Sequence, residues 1–123
     1  MTCPFCTLSE TKIVDSNEFA LVFYDSYPVT KYHTLIIPRR HVADYFELTK
    51  EEVDAMQELL YFQKNRLLKS DTSITGFNIG INVGEDAGQS IFHVHMHLIP
   101  RRNGDMKEPK GGVRGVIPEK QKY

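Results

Sequence analysis

Four stretches of the chain have the hydrophobic pattern of β-strands. Residues 18–25 form a mostly apolar stretch that alternates well enough to predict a strand, and residues 76–83 form a further apolar stretch. Residues 33–40 are apolar on both faces, which predicts a well-buried strand. Residues 88–101 alternate histidines with apolar residues, and every second side chain of a strand lies on the same face. Because only a short glycine-containing loop separates the last two stretches, we expect them to form an antiparallel pair.

A single long helix is predicted between residues 50 and 68. Thr49 and Glu52 form a capping box, in which each side chain accepts a hydrogen bond from the backbone amide of the other residue. Apolar residues then recur at helical spacing: Val53, Met56, Leu60 and Leu67. The polar residues 69–73 end the helix.

The composition fits one globular domain, residues 1–123, in which about residues 102–123 form a C-terminal tail. The 123 residues are 41% hydrophobic and 25% charged. The net charge of −1 argues against bulk electrostatic binding of nucleic acid. Residues 101–123 nevertheless carry seven basic and three acidic residues, a balance of +4, which fits either a solvated tail or one that folds near a phosphate-containing ligand.

Two cysteines, Cys3 and Cys6, form a C-x-x-C motif. No apolar run is long enough to span a bilayer, and the N-terminus lacks the features of a signal peptide, so we expect a cytoplasmic protein with no membrane partner. There the motif indicates a metal site rather than a redox pair, because no strand precedes it; two incidental cysteines are the alternative. Two further ligands would be needed for zinc, and the only histidines outside the histidine-rich strand are His33 and His41.

Three histidines, His93, His95 and His97, would lie in a row on one face of the last predicted strand. Each ring has polar nitrogens that need partners, so three in register indicate a site rather than packing. One possible chemistry is a catalytic metal held by a His-x-His pair, since one ion cannot easily bind all three along a straight strand. The other is nucleophilic attack on phosphorus by the middle imidazole.

The segment HVHMHLI, residues 93–99, resembles the signature of the histidine triad family, in which three histidines alternate with hydrophobic residues. The Gly-Gln-Ser segment 88–90, the Phe-x-Asp segment 23–25 and the segment 33–41 strengthen the resemblance. The tail GGVRGVIP, residues 111–118, is similar to that of a bacterial branch often labelled diadenosine-polyphosphate-hydrolase-like. The resemblance implies an α+β fold: about five antiparallel strands, one long and one short helix, and a homodimer with continuous sheets.

The same resemblance implies a nucleotide hydrolase or nucleotidyl transferase that cleaves at the α-phosphate of a purine nucleoside conjugate, such as a diadenosine polyphosphate or a phosphoramidate. His95 corresponds to the nucleophile that forms a covalent nucleotidyl intermediate. The backbone amides around Gly88 and Gln89 are expected to stabilise the developing charge. The implied catalytic residues are His95, His97, Ser90 and His93. The implied nucleotide-binding residues are Phe23, Asp25, His33, Asn82, Gly88, Gln89, Ser90, His95 and His97.

Relatives with a C-x-x-C motif bind zinc, so the resemblance implies one zinc ion per chain. Its four ligands would be Cys3, Cys6, His41 and His93. This set leaves no open position, so the zinc is expected to be structural.

Several alternatives stay open. One alternative to the nucleotide hydrolase or transferase is a non-catalytic nucleotide-binding scaffold or sensor. The other is a hydrolase in which the histidine triad binds a catalytic metal. Asp25 binds the ribose or caps the turn that follows it. Arg101, Arg102 and Arg114 are hypothesised to favour longer polyphosphates.

Overall fold

The computed structural model describes residues 3–123 and contains one five-stranded antiparallel sheet with one α-helix packed on it. The strands are β1 (Ile13–Ser16), β2 (Ala20–Tyr24), β3 (Thr34–Pro38), β4 (Ile74–Ile81) and β5 (Met96–Arg102), and the helix is α1 (Lys50–Ser70). Their order in the sheet is β1-β2-β3-β5-β4. The predicted fold class and the antiparallel pairing of the last two strands are confirmed.

The helix α1 begins at the predicted capping box and extends two residues beyond the predicted end. The hydroxyl of Thr49 accepts from the amide of Glu52 at 3.1 Å, and the carboxylate of Glu52 accepts from the amide of Thr49 at 2.8 Å. In place of the expected short helix, the described residues form 3₁₀ turns, among them Tyr45–Glu47, which cannot extend because the cap of α1 follows almost immediately. Among the described residues, no helix combines the length and hydropathy that crossing a bilayer requires.

The histidine-rich strand is shorter than predicted. β5 begins at Met96, where its pairing with β3 also begins. His97 therefore lies in the strand, whereas His93 and His95 precede it. The expectation that three imidazoles form a row along one strand is wrong, and each ring has a different environment.

The two faces of the sheet have different roles. One face packs against α1 and forms the main core; its buried members are Ala20, Val22, Ile36, Val42, Met56, Leu59 and Val94. On the other face, residues paired across neighbouring strands form a transverse row: Phe23 on β2, Leu35 on β3, His97 on β5 and Gly80 on β4. This row places His97 between the large side chains of β2 and β3 and the glycine of β4.

Candidate active site and metal centre

A cavity of about 550 Å³ lies over the β2–β3 side of this row. Phe23 and Leu35 line it together with His95 and His97. Phe5 also lines it: its ring meets those of Phe23 and His95 edge to face, at centroid distances of 5.3 and 5.2 Å. Of the predicted nucleotide-binding residues, the cavity brings together Phe23, Asp25, Asn82, Gly88, Ser90, His95 and His97, whereas His33 and Gln89 do not line it. An aromatic floor beside imidazoles and a carboxylate is suited to a nucleoside phosphate.

His95 has the tautomer that a nucleophile needs. Its Nδ1 lies 2.9 Å from the backbone oxygen of His93, and because a carbonyl only accepts, Nδ1 carries the proton. The other nitrogen, Nε2, therefore has a free lone pair on a ring that lines the cavity. His93 is fully buried and does not line the cavity, and it accepts a hydrogen bond from His95 through its backbone carbonyl. The predicted direct catalytic role of the His93 ring is not supported by this geometry.

His33 determines which nitrogen of His97 carries the proton. The amide of Val29 donates to His33 Nδ1 at 3.0 Å, so His33 is protonated at Nε2. That nitrogen lies 2.9 Å from His97 Nδ1, which must accept, and His97 therefore keeps its proton on Nε2. Burial, reinforced by the neighbouring histidines, lowers the pKa of His97 to about 4. Near neutral pH, His97 is thus a neutral ring with an N–H donor available to a ligand.

Asp25 makes two different contacts. Its Oδ1 accepts from the amide of Tyr27 at 2.9 Å, which is the turn-capping contact. Its Oδ2 lies 3.5 Å from His33 Nε2 and the residue lines the cavity, so the ribose-binding prediction and the turn cap are compatible. Burial lowers the pKa of His33 although the charge of Asp25 opposes this effect, so the contact is between a carboxylate and a neutral ring.

The four predicted metal ligands converge beside the active-site histidines. Cys6 Sγ lies 3.2 Å from His41 Nδ1 and 3.5 Å from His93 Nδ1, Cys3 Sγ lies 3.6 Å from His93 Nδ1, and the two Nδ1 atoms are 3.3 Å apart. Tetrahedral zinc with bonds of about 2.0–2.3 Å separates its ligand atoms by roughly 3.3–3.8 Å, so this donor set fits zinc. The second nitrogen of His93 donates to the carbonyl of Pro38 at 2.8 Å, an outer contact typical of metal-binding histidines.

The loop between β4 and β5 is closed by its own hydrogen bonds. Gln89 is 4% exposed; its side chain accepts from the amide of Gly84 at 2.9 Å and donates to the carbonyl of Ala43 at 2.8 Å. The amides of Gly88 and Gln89 donate to the carbonyls of Glu85 and Gly84 at 2.9 and 3.1 Å. These two amides are therefore engaged within the loop, and Gln89 positions the loop rather than lining the cavity.

The three arginines that were expected to favour polyphosphates are engaged elsewhere. Arg101 forms two hydrogen bonds with Asp105, at 2.8 and 2.9 Å, and Arg102 pairs with Asp71 at 2.8 Å. The guanidinium of Arg114 lies 4.8 Å above the ring of the C-terminal tyrosine. None of the three lines the cavity that contains His95, so the structure does not support that hypothesis.

Comparison with known proteins identifies the domain. The sequence model of the HIT domain matches residues 7–104. An uncharacterised HIT-like protein from Mycoplasma genitalium is 36% identical over 104 residues, which cover 81% of this chain and 73% of the relative. An adenylylsulfatase from Arabidopsis thaliana is 34% identical over 107 residues, which cover 84% of this chain and 54% of the relative.

A solved structure has the same fold. It is that of a zinc-bound histidine triad family protein from Mycobacterium smegmatis, with a TM-score of 0.78 and 33% identity, covering 87% of this chain and 80% of that chain. Both the matched domain and the fold thus agree with the family resemblance read from the sequence. The chain belongs to the histidine triad family.

Proposed function

We propose that this protein is a nucleotide hydrolase or nucleotidyl transferase that cleaves a purine nucleoside conjugate at the α-phosphate through a covalent intermediate on His95. The observation that carries the proposal is the His95 tautomer: the hydrogen bond to the carbonyl of His93 leaves Nε2 unprotonated on a ring that lines the cavity. An unprotonated imidazole is a good nucleophile towards phosphorus near neutral pH. The name of the Arabidopsis relative, an adenylylsulfatase, is consistent with release of a group from an adenylyl moiety.

The reaction proceeds in two displacements. His95 Nε2 forms a bond to the α-phosphorus while the bond from phosphorus to the leaving group breaks, and the leaving group takes the bonding electrons. The Nε2–H of His97 donates a hydrogen bond to the leaving atom and stabilises its developing negative charge. Water, or another acceptor, then attacks the phosphorus while the bond from phosphorus to His95 Nε2 breaks. The bonding electrons return to Nε2 as its lone pair, and the acceptor loses a proton to solvent.

The mass of the intact protein tests the covalent step. After brief mixing with an adenylated substrate and a quench without acid, we expect wild-type protein to carry one added nucleotidyl group. His95→Ala is expected to carry none, whereas His97→Gln, which keeps the nucleophile, should form the adduct more slowly. An adduct on His95→Ala would refute the assignment of the nucleophile. Retained nucleotide binding with neither adduct nor turnover on any conjugate would instead favour a non-catalytic sensor or scaffold.

We further propose that Cys3, Cys6, His41 and His93 bind one structural zinc ion per chain. The proposal is supported by the separations of their donor atoms and by the bound zinc of the Mycobacterium smegmatis relative. The ion would fill its coordination sphere with protein ligands and would cross-link the N-terminal segment to the residues preceding β5.

Elemental analysis and thermal unfolding test the zinc proposal. Wild-type protein should contain one zinc ion per chain. Cys6→Ser should lose the zinc and unfold at a lower temperature. Cys6→His, which keeps a metal-binding side chain, should retain part of the zinc content and part of the thermal stability. Treatment with a chelator should lower the stability before it lowers turnover. Immediate loss of turnover from a protein that stays folded would favour the rival in which the metal is catalytic.

We also propose a cytoplasmic homodimer built from single-domain chains. β4 is an edge strand with Ile79 49% exposed, and α1 exposes the aromatic rings of Tyr61 and Phe62. Edge strands and exposed apolar side chains are commonly covered by a partner. The free cysteines of the C-x-x-C motif fit a reducing compartment. Light scattering on the purified chain tests the dimer, and a monomer at micromolar concentration would refute it.

A further inference from the structure

The residue directly before His33 has an unusual backbone conformation. Among residues 3–123, Tyr32 alone of the non-glycine residues has a positive φ, of +72°. It is the third residue of a turn that the amide of His33 closes by donating to the carbonyl of Thr30 at 3.1 Å. Glycine is common at such a position, because a side chain makes the left-handed conformation unfavourable. Strain of this kind persists only where surrounding contacts impose it, and it is concentrated at active sites.

Side chains from other elements hold the carbonyls on both sides of this strained residue. The guanidinium of Arg102, at the end of β5, donates to the carbonyl of Lys31 at 3.1 Å and pairs with Asp71 at 2.8 Å. The hydroxyl of Thr34, on β3, donates to the carbonyl of Tyr32 at 2.8 Å. These contacts fix the peptide groups that flank the Tyr32 Cα, and they thereby maintain its positive φ.

The hydroxyl of Thr34 is itself held by a buried glutamine of the helix. Gln63, on α1, donates from Nε2 to Thr34 Oγ1 at 3.1 Å, and both residues are 0% exposed. Because the oxygen of Thr34 accepts this bond, its own proton is free to bond the carbonyl of the turn. An apolar pair of the same shape would avoid burying polar atoms between helix and sheet, so packing alone does not account for these two residues.

The ring of His33 depends on the geometry of this turn. It accepts from the amide of Val29 at 3.0 Å and donates to His97 Nδ1 at 2.9 Å. Since His33 follows the strained residue directly, the direction of the peptide group between them determines where the ring lies. A displacement of about 1 Å would lengthen the contact with His97 beyond hydrogen-bonding distance. A relaxed turn would therefore weaken the donor that keeps the His97 proton on Nε2.

We propose that Gln63, Thr34 and Arg102 are positioning residues. They maintain the left-handed conformation of Tyr32 and so keep the hydrogen-bond donor of His33 in place. The inference rests on the proposed function, because this donor determines which nitrogen offers a proton to the leaving atom. None of the three positioning residues lines the cavity that contains the proposed nucleophile, so they act through the turn and not on a ligand.

The tautomer of His97 tests the proposal without requiring turnover. The pKa of His97 is about 4, so its ring is neutral at pH 7 and the ¹⁵N chemical shifts of its two nitrogens report which one carries the proton. Thr34→Val combined with Gln63→Met removes both buried polar groups and keeps their shapes, so this double variant should melt within a few degrees of wild type. We expect its His97 to be a mixture of two tautomers, whereas Thr34→Ser, which keeps the hydroxyl, should retain the wild-type shifts. Wild-type shifts in the double variant would overturn the proposal.

Substitutions of Tyr32 test whether the effect passes through the turn. Tyr32→Gly and Tyr32→Ala both remove the ring, but only glycine adopts a positive φ without strain. Added to the double variant, Tyr32→Gly should restore most of the wild-type tautomer, whereas Tyr32→Ala should not. Equal ¹⁵N shifts in the two triple variants would refute the route through the backbone of Tyr32.

A variant outside the core covers the case in which the buried double variant does not fold. Arg102→Met removes the donor to the carbonyl of Lys31 and should shift the tautomer of His97 in the same direction. Arg102→Lys is the matched control, because it keeps a cationic donor and should cause a smaller shift. Wild-type shifts in Arg102→Met would overturn the role of Arg102 and, where the double variant does not fold, the whole proposal.

Turnover separates this inference from the proposed function. On an aryl ester of AMP, each variant that shifts the tautomer should lower kcat by roughly 3- to 10-fold, the effect of weakening one hydrogen bond, and leave KM within about twofold of wild type. A shifted tautomer with unchanged kcat would support the positioning of His33 and overturn the proposed role of the His97 N–H. No turnover by wild-type protein would overturn the proposed reaction, and the ¹⁵N shifts would still decide on the positioning residues.

Discussion

Replacing His33 with leucine should disable His97 without touching the cavity that contains His95. His33 is 2% exposed and donates to His97 Nδ1, which fixes the His97 proton on Nε2. In His33→Leu that donor is lost. The carboxylate of Asp25, one oxygen of which lies within 4.8 Å of a ring nitrogen of His97, would then favour the proton on Nδ1. His97 would present a lone pair instead of an N–H to the leaving atom.

The size of the effect follows from the lost hydrogen bond. A buried polar atom that loses its partner costs about 1–3 kcal/mol, which corresponds to a decrease in kcat of roughly 5- to 150-fold. The assay is turnover of two aryl esters of AMP, the phenyl ester and the 4-nitrophenyl ester. Phenoxide is a more basic leaving group than 4-nitrophenoxide, so its departure depends more on stabilisation by the N–H of His97. We therefore expect the phenyl ester to lose more activity than the 4-nitrophenyl ester.

A conservative variant distinguishes this role from a general loss of packing. The side-chain amide of His33→Gln can donate to His97 Nδ1 and accept from the amide of Val29, so it should recover much of the activity. His33→Leu and His33→Gln should have similar melting temperatures if the effect is local. Equal losses on the two esters, or a glutamine variant as slow as the leucine variant, would refute the reasoning.

Two further predictions concern stability and ribose recognition. Arg40 donates to Glu52 at 2.8 and 3.0 Å and lowers the pKa of Glu52 from 4.5 to about 2. The unfolded chain therefore binds this proton first, and the stabilisation is complete above about pH 5 and lost as the pH falls from about 4.5 towards 2. Glu52→Gln should lower the free energy of unfolding at pH 7, measured in urea titrations, by about 1–2 kcal/mol. The value is modest because Arg40 is half exposed and solvent weakens the ion pair. A difference from wild type that does not shrink below pH 4 would contradict this prediction. Asp25→Asn keeps the turn cap but loses the negative charge. It should raise KM for a ribonucleotide conjugate about 10- to 100-fold and leave KM for the 2′,3′-dideoxy conjugate nearly unchanged. Equal increases in the two KM values would show that Asp25 does not bind the ribose.

Local patterns predicted the helix and most of the sheet because the controlling interactions are close in sequence. The capping box joins residues three positions apart, and the observed helix starts at the predicted residue. β1 was not predicted: it has four residues, and its pairing with β2 is interrupted by an irregularity after Ile13. The strand 88–101 was predicted too long because pairing depends on a distant partner. The amide of Val94 donates to the carbonyl of Val42 at 2.8 Å, outside the sheet.

Residue types predicted which side chains come together at the site better than they predicted its hydrogen bonding. The four metal ligands converge as the resemblance implied. Gln89 and the arginines were misjudged because a side chain's type does not show which partner has already satisfied it. Phe5 was overlooked because its place over the cavity depends on the fold of the N-terminal segment against β2 and His95.

In the proposed reaction, His95 and His97 need different supports. The lone pair of His95 must lie on Nε2, and a backbone carbonyl, which can only accept, fixes the proton of the neutral ring on Nδ1. His97 must keep its proton on Nε2, which requires a hydrogen-bond donor at Nδ1. The neutral ring of His33 supplies that donor without adding a charge. The carbonyl that fixes His95 belongs to His93, whose ring lies among the proposed metal ligands. Disturbing that cluster should therefore act on the nucleophile, whereas disturbing His33 should act on the leaving group, and the two defects should combine multiplicatively in kcat.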